Sequence, residues 1–314
     1  MALIETKGLK KYFRTQRGLL HAVDDVDLKI NEGETLGVVG ESGCGKSTLG
    51  RTILRLLDAT GGQVLYEGSD ILKYDKSQLK GMRTKMQMIF QDPFTSLNPR
   101  LSIQDIIAEP MRVIKNVKGK EAIRERTKEL MDLCGLPSRY MNTYPHELDG
   151  GRRQRVGLAR ALAVDPKFIV CDEPVSALDV SIQAQILNLL MDLQDAKKLA
   201  YMFVTHDLCV VKHISNYIMV MYLGQVVEYA TRDELFDQHV HPYTRALLSA
   251  IPTADLSQRN RERHLLKGEV ANPINPEPGC RFYPRCPHAT AKCKEPQGLR
   301  EVSPGHYVRC ILAD

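Results

Sequence analysis

Gly40-Glu-Ser-Gly-Cys-Gly-Lys-Ser-Thr48 is the stretch that decides the fold of this 314-residue chain. It fits the pattern G-x-x-x-x-G-K-[ST], in which glycines let backbone N–H groups close around phosphates, the lysine reaches the β/γ-phosphates and the serine hydroxyl binds Mg²⁺. A β-branched apolar run (Thr35–Val39) precedes it, and helical spacing of leucine and isoleucine follows from Leu49 to Leu57. The glycines are therefore predicted at a strand-to-helix turn rather than in an ordinary surface turn. The candidate phosphate-binding residues are Ser42, Gly43, Cys44, Gly45, Lys46, Ser47 and Thr48.

Two carboxylates end a second apolar strand. The run Phe168-Ile-Val-Cys-Asp-Glu-Pro174 resembles the strand on which P-loop ATPases hold Mg²⁺ and polarise the attacking water. Asp172 is the expected metal ligand, and Glu173 is the catalytic carboxylate expected to polarise the attacking water. A buried strand that merely ends in a surface Asp-Glu pair is the alternative, and the P-loop upstream disfavours it.

Two polar residues follow other predicted strands. Gln91 comes directly after the strand-like residues 86–90, and its amide oxygen is expected on Mg²⁺ or on the lytic water. His206 follows Tyr201-Met-Phe-Val-Thr205 and can donate a hydrogen bond to a γ-phosphate, the alternative being a plain polar loop residue. The predicted magnesium ligands are Ser47, Gln91 and Asp172, and the predicted catalytic residues are Glu173, His206 and Gln91.

The order of the patterns predicts an α/β protein with a helical insertion. Gly61-Gly62 marks a turn between the P-loop helix and the next strand. Residues 102–135 are amphipathic with helical spacing, and a further helix is predicted from Arg152 to Ala163. Beyond Pro252 polar residues and prolines dominate, so a domain boundary is expected near residue 255. The predicted strands are 63–66, 86–90, 168–171, 202–205, 217–221 and 226–229.

Composition excludes several classes of protein. The chain is 43% hydrophobic, which is enough for an ordinary core. It has no apolar run of the roughly 18 to 20 residues that a membrane-spanning helix requires, and residues 1–13 lack the apolar core of a signal peptide. A cytoplasmic chain is therefore expected. The formal charge of +5 is mild and spread along the sequence, so it does not argue for nucleic acid binding.

With these motifs in this order, residues 3–250 resemble the ATP-binding subunits of ABC transporters, most closely the oligopeptide/dipeptide importer branch. The stretches that carry the closer match are residues 40–50, Gln91-Asp-Pro-Phe-Thr-Ser-Leu-Asn-Pro99, residues 173–181 and His241-Pro-Tyr-Thr-Arg-Ala-Leu247. The resemblance implies a P-loop (RecA-like) ABC ATPase core with an antiparallel β subdomain, a helical subdomain at about 95–165 and a small Cys-rich C-terminal extension. The implied domains are residues 1–255 and 256–314.

The same resemblance gives roles to individual residues. Gln91 is implied to lie beside the coupling surface for the membrane subunits, residues 176–179 to form the loop that crosses to the partner ATPase, and His206 to be the switch histidine. Phe13 aligns with the aromatic residue that stacks on adenine, and Tyr12 is the second candidate.

Residues 148–152, Leu-Asp-Gly-Gly-Arg, depart from the family signature Leu-Ser-Gly-Gly-Gln, which binds the γ-phosphate of ATP held by the opposing subunit. A carboxylate cannot donate to phosphate, and two like charges about 4 Å apart repel by roughly 4 kcal/mol at an effective dielectric near 20. Alternatively, Asp149 turns away as a helix N-cap and Arg152 supplies compensating charge. Both alternatives predict an asymmetric heterodimer with a paralogous ATPase. The signature residues expected near nucleotide are Asp149, Gly150, Gly151 and Arg152.

Four cysteines, Cys280, Cys286, Cys293 and Cys310, crowd the last 35 residues. Four clustered thiolates suit Zn²⁺ or an iron–sulfur cluster, and the lack of a close C-x₂-C pair weakens the zinc interpretation. Prolines among them predict a loop-built pocket, in a tail with too few apolar residues to fold without a staple. Some members of the importer family hold a [4Fe–4S] cluster here, which favours iron–sulfur. Free reduced cysteines are the remaining alternative.

The resemblance implies an ATPase, with ATP and Mg²⁺ as cofactors, that powers peptide import. The expected partners are a paralogous ATP-binding subunit, two transmembrane permease subunits and, indirectly, an extracellular or periplasmic solute-binding protein. The expected location is the cytoplasmic face of the membrane, as a peripheral subunit. An importer of nickel or another small solute is the alternative, whereas a nucleic-acid ABC ATPase is disfavoured because no sustained heptads interrupt the chain.

Overall fold

The computed structural model describes residues 2–114, 117–251, 268 and 273–313. Its strands are β1 (Ile4–Thr15), β2 (Gly18–Ile30), β3 (Thr35–Val39), β4 (Gly61–Tyr66), β5 (Ser69–Asp70), β6 (Met86–Ile89), β7 (Phe168–Asp172), β8 (Ala200–Val204), β9 (Tyr217–Tyr222), β10 (Gln225–Thr231), β11 (Arg300–Ser303) and β12 (His306–Val308). Its helices are α1 (Lys46–Ile53), α2 (Lys76–Lys85), α3 (Pro93–Ser96), α4 (Ile103–Ile114), α5 (Lys120–Leu133), α6 (Gly150–Leu162), α7 (Val180–Lys197), α8 (Leu208–Ile214), α9 (Arg232–Gln238) and α10 (Pro242–Ser249).

Contacts divide the chain into two units. Unit 1 comprises Met1–Ile30, Thr35–Leu72 and Phe203–Asp314, and unit 2 comprises Asn31–Glu34 and Lys73–Met202. The tail residues 273–313 thus belong to unit 1, together with the P-loop. The boundary expected near residue 255 lies outside the described residues and stays a prediction.

Unit 1 is built on two groups of strands. One group is an antiparallel sheet with the order β2-β1-β4-β5, in which β1 and β2 form a hairpin. In the other group β3 pairs in parallel with β9, and β9, β10, β12 and β11 pair successively in antiparallel fashion. The α/β core and the antiparallel β subdomain expected from the sequence are therefore confirmed.

Unit 2 contains the helical insertion and the strands β6 and β7. These two strands are parallel, with Met86 opposite Phe168 and Ile89 opposite Cys171. The spacing of buried residues in α4, which include Ile103, Ile107 and Met111, is that of a helix with one apolar face. The helices predicted within residues 102–135 and from Arg152 onward are α4, α5 and α6.

Two local predictions near the P-loop differ from the structure. Helix α1 begins at Lys46 and ends at Ile53 instead of reaching Leu57, because Arg55 takes a left-handed conformation with φ 52°. The Arg55 guanidinium then donates to the carbonyls of Ile71 and Leu72, at 3.1 and 3.0 Å. The Gly61-Gly62 pair opens strand β4 instead of forming a turn.

The tail contains regular structure that the sequence did not predict. β12 pairs with β10, so that Glu228 lies opposite Val308 and Tyr229 opposite Tyr307. Phe282 joins the core of unit 1 at 1% exposure, with its ring edge-on to that of Tyr222 at 5.3 Å. The prediction of a loop-built pocket in the tail is therefore partly wrong. The few apolar residues of the tail pack on a core that the rest of unit 1 supplies.

A buried ionic group fixes the tail to strand β10. Glu228 has no solvent exposure, and its carboxylate accepts hydrogen bonds from the N–H groups of Val240 and His241, at 2.7 and 3.0 Å. His306 of the tail places Nε2 2.8 Å from the same carboxylate and Nδ1 3.5 Å from Glu234. Burial opposes ionisation of both groups, but the hydrogen bond between them lowers the pKa of Glu228 and raises the pKa of His306.

We expect His306→Gln to lower the free energy of unfolding by about 3 kcal/mol near pH 6, because the buried Glu228 carboxylate loses the imidazole that pairs with its charge. Since the pKa of His306 is raised in the folded protein, its contribution is complete below the ordinary value of about 6.5 and is lost as pH rises through the folded pKa. Since that of Glu228 is lowered, its contribution is lost only as pH falls through its folded pKa. Urea denaturation between pH 5 and 9, with the exposed His213→Gln as control, measures the difference; a pH-independent difference would contradict the pairing.

Candidate functional site

The P-loop of residues 40–48 joins β3 to α1 in unit 1. Gly40 and Gly45 have φ values of 151° and 107°, which residues with a side chain rarely adopt. A Cβ on Gly45 would lie 2.0 Å from the carbonyl oxygen of Ala22, and one on Gly40 would lie 2.2 Å from that of Met221. These two glycines are therefore required by backbone conformation and by close backbone contact.

Lys46 is folded back onto the loop that precedes it. Its side chain is buried, and Nζ donates to the carbonyl oxygens of Gly40 at 2.8 Å and Glu41 at 3.0 Å. Lys46, Ser47 and Thr48 form the first turn of α1, where the helix dipole and the N–H groups favour an anion. The predicted residues thus meet at one turn whose electrostatics favour an anion.

Cys44 of the P-loop is a packing residue. Its side chain is buried, and burial raises the pKa of its thiol, which keeps the sulfur neutral. Its backbone carbonyl accepts a hydrogen bond from the N–H of Gly224 at 2.8 Å, which ties the loop to the turn between β9 and β10.

Two residues outside the P-loop, to which the sequence patterns gave no role, hold it through Glu41. The N–H of Glu41 donates to the Tyr243 hydroxyl at 2.8 Å, and the Glu41 carboxylate pairs with Arg285 at 2.9 Å. Tyr243 was part of the quoted His241-Pro-Tyr motif, which was the only signal for it. No local pattern connects Arg285 with a glutamate 244 positions earlier.

The two candidate adenine-stacking residues lie on β1 and have different surroundings. Phe13 is half-buried, with the Lys11 amine 4.8 Å from the centre of its ring. Tyr12 stacks on His21 at 3.9 Å between ring centres, and its hydroxyl donates to the carboxylate of Asp24. The adenine role of Phe13 stays a prediction.

His206 lies in unit 1, two residues beyond β8, with its side chain exposed. Thr205 before it donates its N–H to the carbonyl of Val38 at 3.2 Å, and Asp207 after it caps α8 by accepting from the N–H of Cys209 at 2.8 Å. The backbone on both sides of His206 is therefore fixed while its imidazole is left accessible.

In unit 2 the structure brings together two predicted catalytic residues. Asp172, fully buried, ends β7, and Glu173 follows it with φ 46°, a strained conformation for a residue with a side chain. Gln91 donates from Nε2 to the carboxylate of Glu173 at 3.0 Å, across 82 positions of sequence. Backbone strain of this kind is found at many active sites, and the catalytic role of Glu173 stays a prediction.

The signature residues of unit 2 adopt the capping arrangement. Asp149 is the N-cap of α6, and its carboxylate accepts from the Arg152 N–H at 2.8 Å and from the Arg152 guanidinium at 2.6 Å. Both side chains are exposed, and the guanidinium lies over the ring of Tyr140 at 5.1 Å. Gly150 starts α6, and a Cβ on Gly151 would lie 2.6 Å from a methyl group of Ile182. Of the two alternatives, the structure therefore has the N-cap.

The four tail cysteines are free thiols that line one pocket of unit 1, together with His241 and Phe282. Burial raises the pKa of the Cys280 thiol to about 11, and the pKa values of Cys286 and Cys310 are raised by the same cause. Among the residues with described positions, no three His, Cys, Asp or Glu side chains are grouped so that they could hold a metal ion. The geometry thus gathers the thiols but does not by itself support the expected metal centre.

None of the described helices is long and apolar enough to cross a membrane. The sequence matches the ABC transporter family over residues 23–176 and the oligopeptide/dipeptide transporter C-terminal region over residues 227–293. Oligopeptide transport ATP-binding protein OppF of Escherichia coli (strain K12) is 50% identical over 311 residues, which cover 99% of this chain and 93% of that protein.

Two further relatives agree with this match. Oligopeptide transport ATP-binding protein AppF of Bacillus subtilis (strain 168) is 48% identical over 321 residues, covering 99% of this chain and 97% of that protein. The solved dimeric structure of MJ0796, a bacterial ABC transporter cassette, is similar with a TM-score of 0.68 at 31% identity, covering 73% of this chain and 98% of that one.

Proposed function

Because the chain belongs to the ABC transporter ATP-binding proteins of the oligopeptide transport family, we propose that it is the ATP-hydrolysing subunit that powers peptide import through a membrane transporter. The observation that carries the catalytic part of the proposal is the strained Glu173, held by Gln91, in a chain that also has a complete P-loop. The substrate class comes from the names of the relatives that share almost the full length of the chain.

Each candidate residue has a distinct role in this proposal. Lys46 and the N–H groups of residues 42–48 bind the β- and γ-phosphates, and Lys46 exchanges a carbonyl acceptor for phosphate oxygens. The Ser47 hydroxyl and the Asp172 carboxylate supply oxygen ligands suited to Mg²⁺. The imidazole of His206 donates to the γ-phosphate, and Phe13 stacks on adenine.

Glu173 is proposed as the general base. Its carboxylate takes a proton from the attacking water as the water oxygen bonds to the γ-phosphorus and the β–γ bridging bond breaks. Gln91 donates to Glu173 through Nε2, which leaves its Oε1 available to Mg²⁺ or to that water. The hydrogen bond thereby couples the position of the base to the segment that follows Gln91.

We expect Lys46→Ala to abolish ATP binding, because it removes the cation that balances the phosphates. Glu173→Gln is expected to bind ATP normally and to lower turnover roughly 100- to 1,000-fold, because it removes the base but keeps the shape. Steady-state ATPase assays and nucleotide-trapping gel filtration measure both effects. Glu125→Gln on α5, an exposed carboxylate of unit 2, is the matched control. Wild-type turnover by Glu173→Gln in the assembled transporter would show that another residue is the base.

The proposed assembly is an asymmetric heterodimer with a paralogous ATPase, bound to two permease subunits at the cytoplasmic face of the membrane and served indirectly by a solute-binding protein. The asymmetry rests on the signature. The Asp149 carboxylate can only accept hydrogen bonds, and it is already bound to Arg152. A phosphate on the opposing subunit therefore receives no hydroxyl donor from this position, whereas the chain's own P-loop keeps all its expected groups.

Asp149→Ser combined with Arg152→Gln is expected to raise the ATPase rate of the isolated chain roughly tenfold, the effect of about 1.4 kcal/mol on the barrier. Serine also caps helices, so α6 should be preserved while a phosphate donor is gained. Arg152→Gln alone is the matched control and should not raise the rate, because it leaves the Asp149 charge without compensation. Fast hydrolysis by the unmodified homodimer, or equal rates for the single and double variants, would remove the argument for asymmetry.

We propose that Cys280, Cys286, Cys293 and Cys310 hold a [4Fe–4S] cluster that orders the tail. The support is that all four are free thiols and that all four line a single pocket. Each iron of such a cluster binds one thiolate, so the chain supplies the matching number. Deprotonation of these thiols would accompany binding, since burial raises their pKa values.

Protein purified without oxygen is expected to be brown and to contain iron and acid-labile sulfide in equal amounts. Cys286→Ser should lose the colour and the order of the tail but still bind ATP, and Cys209→Ser on α8 is the matched control. Absorption spectra, metal analysis and proteolysis of the tail measure these effects. Colourless protein with stoichiometric zinc would replace the cluster with a zinc site, and protein with neither metal would leave four reduced cysteines.

A further inference from the structure

The tail residues 281–285, here called the arginine segment, carry two nearly buried arginines between Cys280 and Cys286. The side chains of Arg281 and Arg285 are each 6% exposed. A guanidinium loses its hydration when it is buried, so it is stable there only with an anionic partner. Both partners lie near the start of the chain, in the same unit, and both adjoin groups assigned above to nucleotide.

Arg285 binds the P-loop itself. Its Nη1 lies 2.9 Å from Oε2 and 3.1 Å from Oε1 of the Glu41 carboxylate. Its Nη2 lies 3.1 Å from the same Oε1. The hydrogen bonds to Glu41 raise the pKa of Arg285. Such two-pronged pairing fixes the direction of the glutamate as well as its charge.

Glu41 is also held through its backbone. Its N–H donates to the Tyr243 hydroxyl at 2.8 Å, and its carbonyl accepts from Lys46 Nζ at 3.0 Å. The peptide groups and side chain of Glu41 thus connect the arginine segment directly to the lysine that is proposed to bind phosphate. A displacement of Arg285 would be transmitted to Lys46 through one residue.

Arg281 binds the other end of the site. Its guanidinium donates to the Asp24 carboxylate and to the carbonyl of Leu223. The same carboxylate accepts from the hydroxyl of Tyr12, whose ring stacks on His21. Although burial acts against ionisation, the hydrogen bond from Tyr12 and the charge of Arg281 hold the pKa of Asp24 below its usual range. The charged pair therefore holds Tyr12 on β1, the residue before Phe13, through the Asp24 carboxylate.

We propose that the arginine segment is a positioning element of the nucleotide site, in which Arg285 neutralises Glu41 and orients the P-loop while Arg281 orients the aromatic end of β1. The inference rests on the P-loop being the nucleotide site, as proposed above. Removal of Arg285 leaves the Glu41 carboxylate uncompensated within a loop that must receive a triphosphate. Because like charges repel, the affinity for the triphosphate falls although no group that touches ATP is changed.

The test is equilibrium binding of a fluorescent ATP analogue with Mg²⁺ to the full chain. Arg285→Ala is expected to raise Kd roughly tenfold, and Arg285→Lys, which keeps the charge but not the two-pronged contact, to raise it less. Adding Glu41→Gln to Arg285→Ala is expected to restore Kd to within about threefold, because the uncompensated charge is then gone. Arg281→Ala should weaken the binding of ATP but not that of inorganic triphosphate, which has no adenine, because Arg281 is proposed to orient the aromatic residues that contact adenine.

Arg232→Ala is the matched control, because Arg232 makes a two-pronged pair with Asp233 in the same unit but at the surface. Thermal unfolding of every variant separates weaker binding from loss of fold, and the lysine variant serves if the alanine variant does not fold. Binding equal to the control, or a loss that Glu41→Gln does not repair, would overturn the inference. Lys46→Ala in the same assay tests the premise. If this variant still bound ATP, the P-loop assignment would be wrong. If Lys46→Ala lost ATP binding while Arg285→Ala bound ATP normally, only the role proposed for the arginine segment would be wrong.

Discussion

Contact between backbone and backbone, without intervening side chains, is the constraint on which the P-loop depends. A Cβ on Gly45 would lie 2.0 Å from the Ala22 carbonyl, and one on Gly224 would lie 2.3 Å from that of His21. In this arrangement Gly224 donates to the Cys44 carbonyl and accepts from the Asp24 N–H, each at 2.8 Å. The P-loop, the β1–β2 hairpin and the β9–β10 turn are therefore joined by main-chain hydrogen bonds that a side chain at either glycine would break.

Charged pairs and apolar packing have different parts in holding the tail. Phe282 is buried among the rings of Tyr222 and Tyr243, and removal of its apolar surface from water supplies attraction that does not depend on register. Arg285 with Glu41 and His306 with Glu228 gain less, because each buried charge first loses its hydration. Their contribution is to fix the register in which the tail packs, because any other register would leave a buried charge unpaired, which is costly. Packing thus attaches the tail, and the ion pairs determine where it attaches.

The sequence predicted what depends on local patterns. The P-loop, the two carboxylates at the end of β7 and the helices of the insertion each lie within a short stretch whose spacing reveals its conformation. The direction of Asp149 could not be predicted, because an N-cap and a phosphate-facing carboxylate share one sequence. Strand β12 is only three residues long, too short for alternation to show. The Arg281–Asp24 pair joins positions 257 apart and leaves no trace in either neighbourhood.

The position of Cys280 and Cys286 on either side of the arginine segment has a thermodynamic consequence. Coupling between two sites is reciprocal, so if the state of the thiol pocket changes the free energy of nucleotide binding, nucleotide changes the free energy of the pocket by the same amount. The tail then behaves as a second ligand site of the ATPase, and its cysteines should differ in reactivity between nucleotide-free and nucleotide-bound protein. The reactivity of these cysteines would then change with each catalytic cycle, although they take no part in the phosphate chemistry.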